Sequence, residues 1–273
     1  GEMDFTVKID AEGLSPQTTY YYNFSALGET SVTGRTRTAA ITADHLKFGI
    51  VSCSNYQSGY YNAYARLSEL NDLDAIIHLG DYIYEYEEGG YGYTENVDRG
   101  HEPTSEIINL EDYRTRYSFY KLDPDLQAVH QQHPFINMWD DHETANDSYK
   151  DGAENHNQRE GDFFARARAA RQAYHEWMPI RTTAAGDQAP IYRSFKLGNL
   201  ADLIMLDTRQ HGRMRPLDYA KDLPVRSGLF QIDGAGQGQL VSDAQAAKLP
   251  GEQLQRIDLP HQFVDGNSQP VTD

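Results

Sequence analysis

Four short stretches gather the side chains that bind metals and phosphate. Ser52-Cys53-Ser54-Asn55 follows an apolar run and holds the only cysteine of the chain. Gly80-Asp81-Tyr82-Ile83-Tyr84 follows a second run, and Trp139-Asp140-Asp141-His142-Glu143 follows a third, with Asn146 and Asp147 just beyond. Asp207-Thr208-Arg209-Gln210-His211 completes the set. In Gly-Asp-x-x-Tyr the glycine permits a sharp turn that aims Asp81 over the end of its element. A carboxylate there suits a hard cation and can bridge two. Tyr84, three residues on, can return to the same place. A phenol is protonated at neutral pH, so it ligates only a metal that strongly lowers its pKa, as trivalent iron does. The plain alternative is that Asp81 caps a turn and Tyr84 packs. Adjacent carboxylates in Asp-Asp-His-Glu repel one another unless a cation sits among them. Asp141 is then a metal ligand, and His142 contacts substrate or gives a proton to a leaving group. The competing reading is an exposed acidic loop. Arg209, with Arg213 and Arg215 nearby, could clamp a phosphate.

Other chemistries fit these residues less well. There is no G-x-S-x-G elbow, no Walker loop and no G-x-G-x-x-G after a strand. Nothing near Cys53 in sequence supplies the base that a nucleophilic thiol needs. Asp140 with Glu143 could form a glycosidase carboxylate pair, but that leaves Cys53, Asp81 and Tyr84 unexplained. His78 lies inside a strand pattern and reads as a core residue. His45, His101, His130, His133, His156, His175 and His261 lack a supporting pattern and read as packing or surface groups.

The elements that position these stretches follow from periodicity. "DFTVKID", "TTYYYNFSAL" and "TSVTGRTRT" predict strands over residues 1–42. Three strands are too few for an independent sandwich, so this part reads as the end of an N-terminal β-domain whose beginning is absent. From residue 46, "LKFGIVS", "LDAIIHLG" and "HPFINMW" predict buried strands. "SGYYNAYARLSELN", "LEDYRTRYSFYKL", "PDLQAVHQQ" and "EGDFFARARAARQAYHEWM" predict helices, with Pro124 in the first turn of the third. "IYRSFKLG" and "LADLIMLDT" flank Gly-Asn, a hairpin signal. After Asp207 the chain reads as polar loop, apart from a short helix around "SDAQAAKL". The alternation indicates an α/β layered domain with a largely parallel core sheet. In such sheets functional groups collect at the carboxyl ends of strands, where all four stretches fall.

Composition bounds the partners. The 273 residues carry 24 Lys and Arg against 41 Asp and Glu, a net charge of −17. No basic surface is available to displace phosphate counterions, which argues against a nucleic-acid partner. Apolar runs fall short of the roughly 20 residues of a membrane span. No basic n-region followed by an apolar h-region opens the chain. The 19 tyrosines are expected to be half-buried with hydrated hydroxyls, and several crowd into "GDYIYEYEEGGYGY".

"GDxxY" followed by a strand and "DDHE" resembles the calcineurin-like metallophosphoesterases. More closely, "SCSNYQSGYYNAYARLSE", "IIHLGDYIYEY", "MWDDHETANDSY" and "LDTRQHGR" look like the alkaline phosphatase D family. The likeness runs in consistent order over residues 46–215, and the N-terminal strands resemble that family's small β-sandwich. The resemblance implies a domain division at 1–42 and 46–273. It also implies hydrolysis of small phosphate mono- and diesters, phospholipid or teichoic-acid-like esters included. The protein would be an exported, metal-dependent monomer that uses Fe3+ together with Ca2+. By position, Cys53, Asp81 and Tyr84 would hold the iron, Asp81 would bridge to calcium, and Asp141 would help bind the second ion. Two ions about 3.5–4 Å apart would polarise the phosphate and deliver a hydroxide. His142 and Arg209 would stabilise the developing charge, with His142 the proton donor and Asn55 near the phosphate. At −17, only such a local cluster of cations reverses the field felt by an anionic substrate. One departure stands out. Calcineurin-like enzymes close their site with late G-D-x-H or G-H-x-H motifs, and none follows residue 215, so the chain reads as a fragment, or else a divergent short member, whose two-metal site could lack ligands. The competing function is a non-catalytic calcium-binding or cell-surface module that retains the motif set.

Overall fold

The computed structural model describes residues 2–181, 190–216, 227–234 and 237–258. It divides into two compact units, Gly1–Arg215 and Pro216–Asp273.

In the first unit, β1 (Thr19–Tyr22) pairs antiparallel with β4 (Gly34–Arg37), and β2 (Ser25–Ala26) with β3 (Glu29–Thr30). These short strands lie in the segment expected to be β-structure. "DFTVKID" is no strand, although its apolar residues alternate. Phe5, Val7 and Ile9 stay exposed, and the segment is held by its polar residues at the end of a helix. Asp4 accepts a hydrogen bond from Trp177 Nε1 at 3.0 Å, Lys8 donates to the carbonyls of His175 and Ile180, and Asp10 pairs with Arg181.

The core sheet follows. β5 (Phe48–Val51), β6 (Ala75–His78) and β7 (Phe135–Asn137) run parallel in the order β5-β6-β7. All four residues of β6 are buried, as expected of a central parallel strand covered on both faces. α1 (Asn62–Ser68), α2 (Leu110–Tyr120), α3 (Pro124–Gln132) and α4 (Phe163–Trp177) supply the other layer, with α1 against α3 and α2 against α4. Local chemistry starts three of them. Asn109 and Asp112 form a capping box on α2, Asp123 caps α3 ahead of Pro124, and Asp162 caps α4.

The core is rich in tyrosine, and here the expectation of hydrated hydroxyls fails. Tyr82, Tyr113, Tyr117, Tyr120 and Tyr174 are fully buried. Tyr113 donates to the carbonyl of Thr144, and Tyr61 to that of Ser54 at 2.6 Å. Tyr64 and Tyr120 bond to His78 and His101. A tyrosine can be buried when a nearby carbonyl or imidazole replaces water.

β8 (Arg193–Leu197) and β9 (Ala201–Met205) form the expected antiparallel hairpin around Gly198. They form their own two-stranded sheet and do not continue the parallel one. In the second unit, β10 (Ser227–Ile232) lies between β11 (Gly238–Val241) and β12 (Leu254–Asp258), all antiparallel, with α5 (Asp243–Ala246) after β11. The polar loop expected after Asp207 therefore contains a three-stranded sheet among the described residues. Its Gln- and Gly-rich strands lack the apolar alternation that would announce them.

A cluster of metal-ligand side chains at the sheet edge

Three loops at the carboxyl ends of β5, β6 and β7 build the site. The first two are joined by their backbones, since the N–H groups of Cys53 and Ser54 donate to the carbonyls of Gly80 and Asp81 at 3.1 and 2.8 Å. Gly80, at φ +114°, lies so close to the β7 loop that an added Cβ would meet Asp140 N at 2.2 Å. Only glycine permits this approach. Cys53, Asp81 and Asp147 all adopt left-handed φ values, of 58°, 56° and 51°. Such conformations are costly for residues with a Cβ, and they concentrate at functional sites.

The result is a convergence on Asp81. Its Oδ2 accepts from Tyr84 OH at 3.3 Å and from Cys53 Sγ at 3.5 Å, and its Oδ1 accepts from His142 N at 3.4 Å. Ligand atoms of Asp81, Asp141 and His142 lie within 4.8 Å of one another, and all three residues are buried. Asp141 Oδ2 accepts from Asp147 N at 2.5 Å. The reading of Asp-Asp-His-Glu as an exposed loop is thereby excluded. Glu143 is buried too, and its two oxygens accept from Tyr82 N at 2.7 Å and Asp140 N at 2.9 Å. Glu143 is thus a staple between two loops, and no glycosidase pair forms with Asp140.

The electrostatics ask for a cation. Burial pushes the Asp81 carboxyl up, Asp141 to about 6 and Glu143 to about 8, with the Asp81 charge adding to the last two. Burial, Asp81 and Cys53 push the Tyr84 phenol upwards. Desolvation and the Asp81 charge raise the Cys53 thiol, the reverse of an activated nucleophile. A positive ion among these groups would oppose all of these shifts at once. The donors fit such an ion. Thiol and phenol meet on one oxygen of Asp81, and ligand atoms of Asp141 and His142 lie within 4.8 Å of the same residue.

Two candidate substrate groups are differently placed. Arg209 follows β9, and its guanidinium meets Asp140 through two bonds, Nε–Oδ1 2.6 Å and Nη2–Oδ2 3.1 Å. It also reaches Asp141 at 3.2 Å and Asp147 at 3.3 Å. Although burial pushes Asp140 up, this arginine holds its carboxyl below the ordinary range. Asn55 directs its amide elsewhere, with Oδ1 accepting from Gln57 N at 3.1 Å and Nδ2 donating to the Tyr91 carbonyl at 3.0 Å. Arg213 reaches Asp147 at 3.5 Å.

Glu85 was not singled out from the sequence. It is fully buried and accepts from His142 Nδ1 at 2.7 Å, Asn146 N at 2.6 Å and Asn155 Nδ2 at 2.8 Å. Burial lowers the basicity of His142, but Glu85 outweighs it and raises the imidazole to about 9. With Nδ1 bonded to Glu85, Nε2 is the nitrogen left for other partners. Its place directly after Tyr84 was the available signal. A hollow of about 820 Å3 lined by Tyr192, Ile204, Asp207 and His211 contains none of Cys53, Asp81, Tyr84, Asp141 or His142 in its lining.

Known proteins resemble this chain over most of its length. Residues 48–258 match the family model of the PhoD-like phosphatases, and residues 1–40 match that of their N-terminal domain. Alkaline phosphatase D of Bacillus subtilis (strain 168) is 41% identical over 212 residues, covering 76% of this chain and 36% of that protein. The solved structure of PhoD superposes with a TM-score of 0.68 at 34% identity, over 88% of this chain and 45% of that one. The chain thus spans less than half the length of either relative.

Proposed function

This chain belongs to the PhoD-like phosphatases, and we propose that it carries the metal centre of a phosphoric ester hydrolase acting on small phosphate mono- and diesters. The observation that supports this most is the meeting of Cys53 Sγ and Tyr84 OH on one oxygen of Asp81, with Asp141 and His142 close by. In this reading Cys53, Asp81 and Tyr84 hold trivalent iron, and Asp81 with Asp141 holds calcium. Such ions, when bound, polarise a phosphoryl group and make water nucleophilic at neutral pH.

The chain's own groups supply positioning and proton transfer. His142, oriented by Glu85 through Nδ1, offers Nε2 to the leaving oxygen and gives it a proton. Arg209, resting on Asp140, Asp141 and Asp147, exchanges the half-buried Asp147 carboxylate for the phosphoryl oxygens and balances their growing charge. Asn55 acts from behind, holding the Tyr91 loop beside the site.

The direct test is hydrolysis of p-nitrophenyl phosphate and bis-p-nitrophenyl phosphate by the metal-loaded protein, with and without chelator. Turnover abolished by chelator is expected. Stoichiometric metal binding with no turnover of either ester would instead identify a non-catalytic metal-binding module.

A further inference from the structure

The loop that follows Glu85 is built in an unusual sense, with its polar anchors buried and an aromatic ring left open. Gln57 is fully buried and holds the loop twice, accepting from Gly89 N at 2.8 Å and donating to the Glu87 carbonyl at 3.1 Å. Asn55 donates to the Tyr91 carbonyl at 3.0 Å. The next residue, Gly92, sits at φ +83° so close that a Cβ would meet Asn55 Nδ2 at 2.3 Å. From below, Arg116, itself fully buried, donates to the carbonyls of Tyr84 and Tyr86. A loop fixed only for packing would bury its large side chain, yet Tyr91 keeps 62% of its surface exposed.

That ring is aligned with the site. It lies 6.3 Å and 18° from the His142 imidazole and 6.3 Å and 16° from Tyr84, whose own ring is stacked 4.1 Å from His142. Tyr86 braces it at 5.2 Å. Scattered exposed tyrosines need no explanation. A rigidly anchored one, parallel to the imidazole that faces the metal-ligand cluster, does. Phosphate is drawn to the cations, so what remains of the ester for Tyr91 to meet is the alcohol side.

We propose that Tyr91, braced by Tyr86, is a platform for the leaving group of the ester and selects alcohols that carry an aromatic ring. The proposal rests on the hydrolase reading above. A planar ring stacks on a tyrosine face and gains energy beyond simple area burial, whereas an aliphatic ring of similar size gains area alone.

Benzyl, cyclohexylmethyl and methyl phosphate test this, because their leaving alcohols have similar basicity and differ mainly in what they offer to Tyr91. For the metal-loaded protein, the ratio of kcat/KM for benzyl over cyclohexylmethyl and over methyl phosphate should exceed one. It should fall roughly threefold to tenfold in Tyr91→Ala and survive in Tyr91→Phe. Ratios that do not move in Tyr91→Ala overturn the platform while leaving the hydrolase standing. Equal preference for benzyl and cyclohexylmethyl overturns the aromatic class. Saturation-transfer NMR with benzylphosphonate provides a readout without turnover. Saturation of its ring protons in the parent protein and Tyr91→Phe, but not in Tyr91→Ala, supports the platform, and equal saturation in all three overturns it. Should no ester be hydrolysed while that ring contact persists, the hydrolase reading fails and the ring site remains.

Discussion

Asp81 shares one oxygen between a thiol and a phenol, so under the proposed function the choice of metal would rest on single side chains. Cys53 is exposed, and a serine would keep its left-handed backbone. Cys53→Ser should therefore change stability by no more than about 0.5 kcal/mol, as surface substitutions do. Iron affinity should drop by at least the ~10–100-fold attributed even to outer partners of metal ligands. Iron content after dialysis, beside a thermal melt, reads both, and iron retained at parent level would remove Cys53 from the site. Glu85 presents a different case, since it touches only protein groups. Glu85→Gln keeps the size and one oxygen for Asn146 N and Asn155 Nδ2, but its amide nitrogen would face His142 Nδ1 as a donor and no longer stabilise the imidazolium. The expected result is a kcat about 10–100-fold lower with KM nearly constant. A parallel loss of melting temperature and kcat would mark Glu85 as structural only.

Elements enter through the close approach of two strand ends. Gly80 lets the β6 loop touch the β7 loop, and backbone atoms of Trp139 and Asp140 occupy the place where its Cβ would be. Neither backbone can move without displacing Asp81 or Asp141. Gly80→Ala should cost about 3 kcal/mol or more, combining overpacking with left-handed strain. Gly161 is the comparison. It also has positive φ, +93°, but nothing lies within 4 Å of its missing Cβ, so Gly161→Ala should cost the backbone strain alone, about 1–3 kcal/mol, and less than Gly80→Ala. Equilibrium denaturation of both variants separates crowding from strain, and equal losses would contradict the contact argument.

At the scale of the molecule, buried neutral imidazoles set the acid limit of stability. His101 is buried between the Tyr86 carbonyl, 3.0 Å from Nδ1, and Tyr120 OH, 3.0 Å from Nε2. Burial, with the Arg116 charge, depresses it to about 3. The unfolded chain titrates near 6.5, so below that pH it binds a proton that the folded state refuses. The contribution of His101 is thus intact above pH ~6.5 and is lost as pH falls towards 3, at about 1.4 kcal/mol per pH unit. His101→Gln should be less stable than the parent at pH 8, and the gap should close as pH falls from 6.5 to about 4. Stability curves that stay parallel over this range would show that His101 is protonated when folded. The same fold carries a net charge of −17, so under the proposed function attraction of an anionic ester would depend on cations held at Asp81 and its neighbours.

The sequence by itself determined the three parallel strands, their helices, and the polar stretches with candidate ligands that follow them. Apolar runs, caps and glycines act over a few residues, and local spacing records them directly. It also placed Cys53, Asp81, Tyr84 and Asp141 as one set, through motif resemblance more than through periodicity. Only the tertiary structure decided the rest. Glu85 meets His142 across 57 residues, Arg209 crosses 69 to reach Asp140, and Tyr91 aligns with an imidazole on another loop. Asn55 illustrates the difference, since its position in a ligand-rich stretch says nothing of the loop its amide holds. Such pairings depend on how closely two loops pack and in which direction each side chain leaves its backbone. Neither quantity has a period in the chain, so no local pattern can announce it.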